Sequence, residues 1–217
     1  MHDASYDLMA EALDRLPNGF PRTDSGLEIQ ILQKICSPQE AALAGLLGGT
    51  PEPVGTIAVR AGKPAGEVSR ALFKLVRRGM VWLDRQDGEI RFRLAPFVVG
   101  FYEAQAGLMD QELAQLVEDY LAGGGAQGIM KPQPALHRVL PAAGTVKAEA
   151  ILPYDDVRAL LLGEKTFTVN ECICRLQQEQ LGETCTYPTR SASASPGANG
   201  PPNRAISPRP RRLRSWT

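Results

Sequence analysis

Val54-Gly-Thr-Ile-Ala-Val-Arg-Ala-Gly-Lys-Pro64-Ala-Gly-Glu-Val-Ser-Arg-Ala-Leu-Phe-Lys-Leu-Val-Arg-Arg-Gly79 decides the fold of the first half of the chain. It predicts a short helix over Val54 to Arg60, a turn at Ala61-Gly-Lys-Pro64, and a second helix from Ala65 to Arg78 with Gly79 as its C-cap. Val81-Trp-Leu-Asp84 and Glu89-Ile-Arg-Phe-Arg-Leu94 follow as strands around Arg85-Gln-Asp-Gly88, whose Asp-Gly pair is a hairpin signal. Upstream, Ala4 to Leu16 reads as an amphipathic helix stopped by Pro17-Asn-Gly, and residues 27 to 36 as a second helix. A third begins at Ser37-Pro-Gln-Glu40, with serine at the N-cap, proline at the first position and glutamate at the third, and is closed by Gly48-Gly49. Downstream, Phe97 to Leu121 carries Val98, Tyr102, Met109, Leu113, Leu116 and Tyr120 at helical spacing and predicts one long helix.

Helix, turn, helix and hairpin is the order of a winged helix-turn-helix domain. Ile57-Ala-Val-Arg-Ala-Gly, Val68-Ser-Arg-Ala-Leu72, Leu75 and Gly79-Met-Val81 resemble winged-helix transcription regulators. At 100° per residue, Val68, Ala71, Leu72 and Leu75 fall on one arc of the second helix, and Arg70, Lys74, Arg77 and Arg78 on the opposite one. The basic arc suits phosphate neutralisation, while Ser69 and Arg70 lie where a recognition helix approaches bases. A solvated face is the competing reading. Phe73 and Val76 widen the apolar stripe as if another protein surface covered them, and Glu67 would repel phosphates.

At 217 residues with 22% charged and 43% hydrophobic residues, the chain has the composition of a globular protein. The longest apolar runs fall far short of the ~18 residues of a membrane span, and Met1-His-Asp-Ala-Ser shows no secretory signal, so a cytoplasmic location is expected. The formal net charge of zero is unevenly spread: residues 54 to 94 hold nine basic and four acidic side chains, and residues 97 to 125 five acidic and none basic. A basic segment on an acidic background marks an anion-binding face.

Three of the four cysteines cluster late, in Val169-Asn-Glu-Cys-Ile-Cys-Arg175 and Gly182-Glu-Thr-Cys-Thr-Tyr-Pro188. The β-branched and aromatic residues of Thr166 to Val169 favour a strand. On an extended segment Cys172 and Cys174 would share a face, with thiolates about 6 to 7 Å apart. That gap suits a polynuclear iron–sulfur cluster better than a single zinc. Packing as small hydrophobes is the alternative. Cluster ligation normally takes four cysteines, and Cys36, in the helical pattern Ile29, Leu32, Ile35, reads as a core residue. Between the long helix and the cysteines, Gly123 to Gly128 reads as a linker lacking the lysine and hydroxyl of a P-loop. Ala135 to Leu140 and Thr145 to Ala150 read as short strands, and Pro153 to Leu162 as a helix.

Taken together, Pro17-Asn-Gly-Phe-Pro21, Ser25-Gly-Leu-Glu28, Ser37-Pro-Gln-Glu-Ala41, Pro96-Phe-Val-Val-Gly-Phe-Tyr-Glu103, Ile151-Leu-Pro-Tyr154 and Cys172-Ile-Cys-Arg175 with Cys185 resemble a family of bacterial and archaeal ferredoxin-like 4Fe-4S proteins. In that family a winged-helix domain precedes a cysteine-rich module. The resemblance implies iron–sulfur binding through Cys172, Cys174 and Cys185, a further cysteine soon after Tyr187-Pro188, and a downstream ferredoxin segment. Neither later feature occurs in this chain.

From Thr189 the composition turns to Ser, Ala, Pro, Gly and Arg, with six arginines and no acidic residue. It reads as a disordered basic tail, and the simplest origin is a truncated or frameshifted gene end. The expected architecture is α+β and mainly helical. N-terminal helices plus a winged helix-turn-helix domain occupy 1–96, a long linking helix and Gly-rich linker 97–130, a partial iron–sulfur module 131–188, and the tail 189–217. The leading expectation is a cluster-binding electron-transfer or redox-sensing protein, with a winged-helix DNA-binding regulator as the alternative. The partners would be a redox protein, DNA, or a second copy of the chain. His2 and His137 have no visible acid–base partner and no nucleophile motif stands out, so no enzyme activity is expected.

Overall fold

The computed structural model describes residues 3–127, 167–183, 185–186 and 190–194. The strands expected at 135–140 and 145–150, the helix at 153–162, and His2 and His137 lie outside them. The chain divides into two compact units, Met1–Val139 with Cys172–Thr189, and Leu140–Glu171 with Arg190–Thr217. The described residues are mainly helical with a small antiparallel sheet, an α+β architecture.

In the first unit, α1 (Ala4–Asp14) is capped by Asp3, whose carboxylate accepts from the Ser5 amide at 2.9 Å. α2 (Leu27–Ile35) and α3 (Pro38–Gly45) follow, and the capping box expected at α3 is present: Ser37 Oγ accepts from the Glu40 amide and Glu40 accepts from the Ser37 amide. α3 ends at Gly45, ahead of the Gly48-Gly49 pair.

β1 (Glu52–Pro53) leads into α4 (Val54–Ala61) and α5 (Ala65–Arg77), and then β2 (Val81–Gln86) and β3 (Glu89–Leu94). The strands lie in the order β1-β3-β2, all antiparallel. Gln86 pairs with Glu89, leaving Asp87 and Gly88 as a two-residue loop with φ of 53° and 80°. Positive φ at both positions matches the right-handed strand twist, which is why Asp-Gly closes this hairpin. Arg60 ties α4 to β1 by binding the Glu52 carboxylate and the Leu46 carbonyl.

The long helix expected over 97–121 is not one helix. Phe97–Phe101 forms a wide π-type turn and Glu103–Leu108 a 3-10 segment; Met109 is extended, and α6 (Gln111–Tyr120) starts afresh. Asp110 caps α6 by accepting from the Leu113 amide at 2.9 Å. A second wide turn, Leu121–Gly125, continues α6 where a flexible linker was expected. The irregular turns place aromatic rings in the core: Phe97 lies 4.3 Å from Phe20 and 5.8 Å from Tyr102, and Phe20 lies 5.1 Å from Tyr120, centroid to centroid.

Further on, β4 (Phe167–Glu171) is followed by α7 (Ile173–Gln180) and then β5 (Arg190–Ala194). β4 and β5 pair antiparallel, with Glu171 opposite Arg190. The first residues of the expected disordered tail are therefore strand, because ladder bonds to β4 satisfy a backbone that its own side chains could not order. The rest of the tail lies outside the described residues.

Candidate nucleic-acid interface and thiol pair

α5 has two contrasting faces. Val68, Leu72 and Leu75 are buried, whereas Glu67, Arg70, Lys74 and Arg77 form an exposed row at three- and four-residue intervals. Phe73 and Val76, which widen the stripe, need no outside partner. Both pack on the chain's own core, and the Phe73 ring meets Phe92 of β3 edge-on at 5.4 Å. Ser69 is half-buried between the two faces.

The basic residues divide by task. Arg78 turns inward: its guanidinium pairs with Glu40 at 2.6 Å and donates to the Ile35 carbonyl. Lys74 approaches the other Glu40 oxygen at 3.2 Å while its side chain stays 64% exposed. Arg78 is thus a docking residue joining α5 to α3, and the sequence-based grouping of it with the surface arginines is corrected by this pair. Burial by itself would raise the Glu40 carboxyl, but hydrogen bonds from Arg78 and from the Ser37 amide and hydroxyl hold it at about 2. Glu67, expected to repel phosphate, is bound by Lys63 at 2.8 Å, which keeps its carboxyl below the usual range. Arg70 and Arg77 are exposed and make no ion pair among the described residues, as does Arg85 near the hairpin loop. Arg93 is occupied by Asp84 at 2.7 Å and by the Trp82 ring at 4.5 Å.

The cysteines do not share a strand face. β4 stops at Glu171; Cys172 takes the N-cap of α7, its carbonyl accepting from the Arg175 and Leu176 amides at 3.1 Å, and Cys174 lies in the first helical turn. Both are free thiols, Cys172 half-buried and Cys174 exposed. Protein packed beneath Cys174 raises its thiol above the ordinary value, and the adjacent Cys172 and Glu103 charges add to this. Tyr102 stands beside the pair; burial raises its phenol, and the nearby Cys174 thiol adds to the shift. Its hydroxyl donates to Gln177 of α7, whose amide donates to Glu118 of α6 at 2.8 Å.

Cys185 is exposed, and among the described residues no three His, Cys, Asp or Glu side chains are grouped to hold a metal. Cys36 is no substitute ligand. It is buried, its thiol donates to the Leu32 carbonyl at 3.2 Å, and burial pushes it up to about 12. Cys172 and Cys174 together at the start of α7 supply two of the four cysteines that a cluster normally takes.

Glu40, Tyr102, Gln177 and Glu118 organise these sites, yet none was singled out for this from the sequence. Glu40 was legible only as a cap. The other three meet across 75 and 59 residues of chain, a separation that periodicity does not register. Among the described residues no helix is long and apolar enough to cross a membrane. Searches of protein-family models, curated proteins and solved structures found nothing that matches the chain.

Proposed function

We propose that α3 to β3 is a winged helix-turn-helix domain that binds duplex DNA through α5, with the β2–β3 hairpin as its wing. The observation that carries this reading is the exposed row Arg70, Lys74 and Arg77 opposite the buried row Val68, Leu72 and Leu75. Helix order and the strand order β1-β3-β2 agree with it. Arg70 and Arg77 would neutralise phosphates, Ser69 and Arg70 would approach base edges from the first turns of α5, and Arg85 would reach the flanking backbone. The body outside the tail carries 18 basic against 24 acidic residues, so attraction to DNA must come from this face and not from the molecule's overall charge.

Fluorescence anisotropy of a labelled duplex, titrated between 50 and 200 mM salt, tests the reading. Each phosphate contact contributes roughly −0.9 to the slope of log affinity against log salt. Arg70→Ala with Arg77→Ala is expected to weaken binding and flatten that slope by about 2. Affinity indifferent to both arginines, or absent at the lowest salt, would overturn it.

An iron–sulfur role draws on the family resemblance and on the adjacency of Cys172 and Cys174, and requires ligands beyond that pair. Anaerobic reconstitution tests it: a visible charge-transfer band that Cys185→Ser abolishes would establish it, and a chain that stays colourless would remove it.

A further inference from the structure

Resting on the reading of α5 as a DNA-binding helix, we infer that Glu67 and Arg70 are its base-reading pair, selecting duplexes in which a cytosine and a guanine occupy neighbouring positions. In the first two turns of α5, Ala65, Gly66, Glu67 and Arg70 are exposed, Val68 is buried, and Ser69 and Ala71 are half-buried. The N-terminal residues of a recognition helix are the ones that meet base edges. Ala65 and Gly66 carry too little side chain to read one, and a Cβ at position 66 would meet nothing within 4 Å. The chain's own packing therefore does not call for a glycine there, whereas close approach of an outside surface does. Glu67 and Arg70 are the long polar side chains left at this end. They lie about 60° apart around the helix and ~4.5 Å apart along it, close to the ~3.4 Å step between stacked bases.

Glu67 is out of place on a face built for phosphate alone. Lys63, in the turn ahead of α5, donates to its Oε1 at 2.8 Å, and its other oxygen has no hydrogen-bond partner among the described residues. The pair sums to zero charge, so it neither draws in nor repels the DNA backbone, and one carboxylate oxygen stays open to accept. The two side chains are 50% and 58% exposed, so the pair adds little to stability. The ammonium also holds the carboxyl below its usual range, and an ionised carboxylate only accepts. In the major groove cytosine offers the N4 donor and no acceptor. Guanine and thymine present acceptors, and adenine sets its N7 acceptor beside its amino group. A carboxylate therefore favours cytosine. Arg70 is exposed and makes no ion pair among the described residues, and its fork matches guanine O6 and N7.

Selection by the full chain from duplexes with a randomised centre, read by sequencing, tests this. Enriched sequences are expected to carry a guanine next to a cytosine. In anisotropy titrations of an enriched duplex, changing that cytosine and its complement to an adenine–thymine pair should weaken the native chain about tenfold. Glu67→Gln should reverse the order and prefer adenine, whose N6 and N7 a glutamine matches, while the guanine preference persists. Arg70→Ala should erase the guanine preference and keep that for cytosine. A Glu67 that served only α5 or Lys63 would, once replaced, change affinity for every duplex alike and shift no preference. That result, or salt-dependent binding with no preference for cytosine and guanine, would overturn the inference and leave the DNA-binding reading standing; no binding at the lowest salt would overturn both.

Discussion

Glu40 accepts from the Ser37 amide, pairs with Arg78 at 2.6 Å and faces Lys74 at 3.2 Å, so one carboxylate both starts α3 and holds the C-terminal half of α5. Its folded pKa, about 2, lies below the 4.5 of a free glutamate. The stabilisation is therefore complete above about pH 5 and is lost as pH falls toward 2. At ~1.4 kcal/mol per pKa unit, reduced by solvent screening of the exposed Lys74 arm, the loss should be about 1–2 kcal/mol. Urea midpoints measured from pH 7 to pH 3 should converge for the native chain and Glu40→Gln at the acid end and separate at neutral pH. Gly79 and Gly62 make a second residue-level comparison, since both have positive φ, 69° and 61°. A Cβ at position 79 would lie 2.2 Å from the Ala104 Cβ, whereas one at position 62 meets nothing within 4 Å. Gly62→Ala should cost about 1 kcal/mol, from the left-handed backbone alone. Gly79→Ala should cost about 3 kcal/mol, because Ala104 must also give way.

At the level of elements, boundaries were legible where a side chain or a special φ marks them: Ser37 with Glu40 at the start of α3, Asp87-Gly88 between β2 and β3, and Gly79 after α5. The break before α6 was not. Val98, Tyr102, Met109 and Leu113 keep a helical rhythm across it, and apolar spacing reports burial, which the π-type and 3-10 turns satisfy as well. The overlooked signal was Asp110, an N-cap type of residue within the supposed helix. Asp110 accepts from the Leu113 amide and pairs with Lys34 of α2 at 2.9 Å. Asp110→Ala should cost about 1 kcal/mol, read from thermal melts, while Asp110→Ser should keep most of that stability. The thiol site was misread in a similar way. β-branched residues foretold β4 correctly, but cysteine is not a typical cap. Only the helix-forming run Arg175-Leu-Gln-Gln-Glu-Gln180 hinted that the chain coils directly after Glu171.

Across the whole molecule, the decisive relations join residues far apart in the chain. Gln105 donates to the carbonyls of Phe101 and Arg78, at 2.7 and 3.3 Å, so the 3-10 segment leans on the end of α5. Tyr102, beside Gln105's segment, reaches α7 through Gln177, and Gln177 reaches α6 through Glu118. This bridge has a direction, since the phenol gives its proton to the amide oxygen and the amide nitrogen gives one to a carboxylate. A glutamine fits because it accepts at one end and donates at the other. Gln177→Glu exchanges that nitrogen for an oxygen and sets two anions face to face, a repulsion that a single shared proton relieves. Acid should then strengthen the variant between pH 7 and pH 5, as melting temperatures would record, while the native chain gains nothing there. One atom in the middle of the relay would turn a permanent joint into one that closes only when a proton arrives.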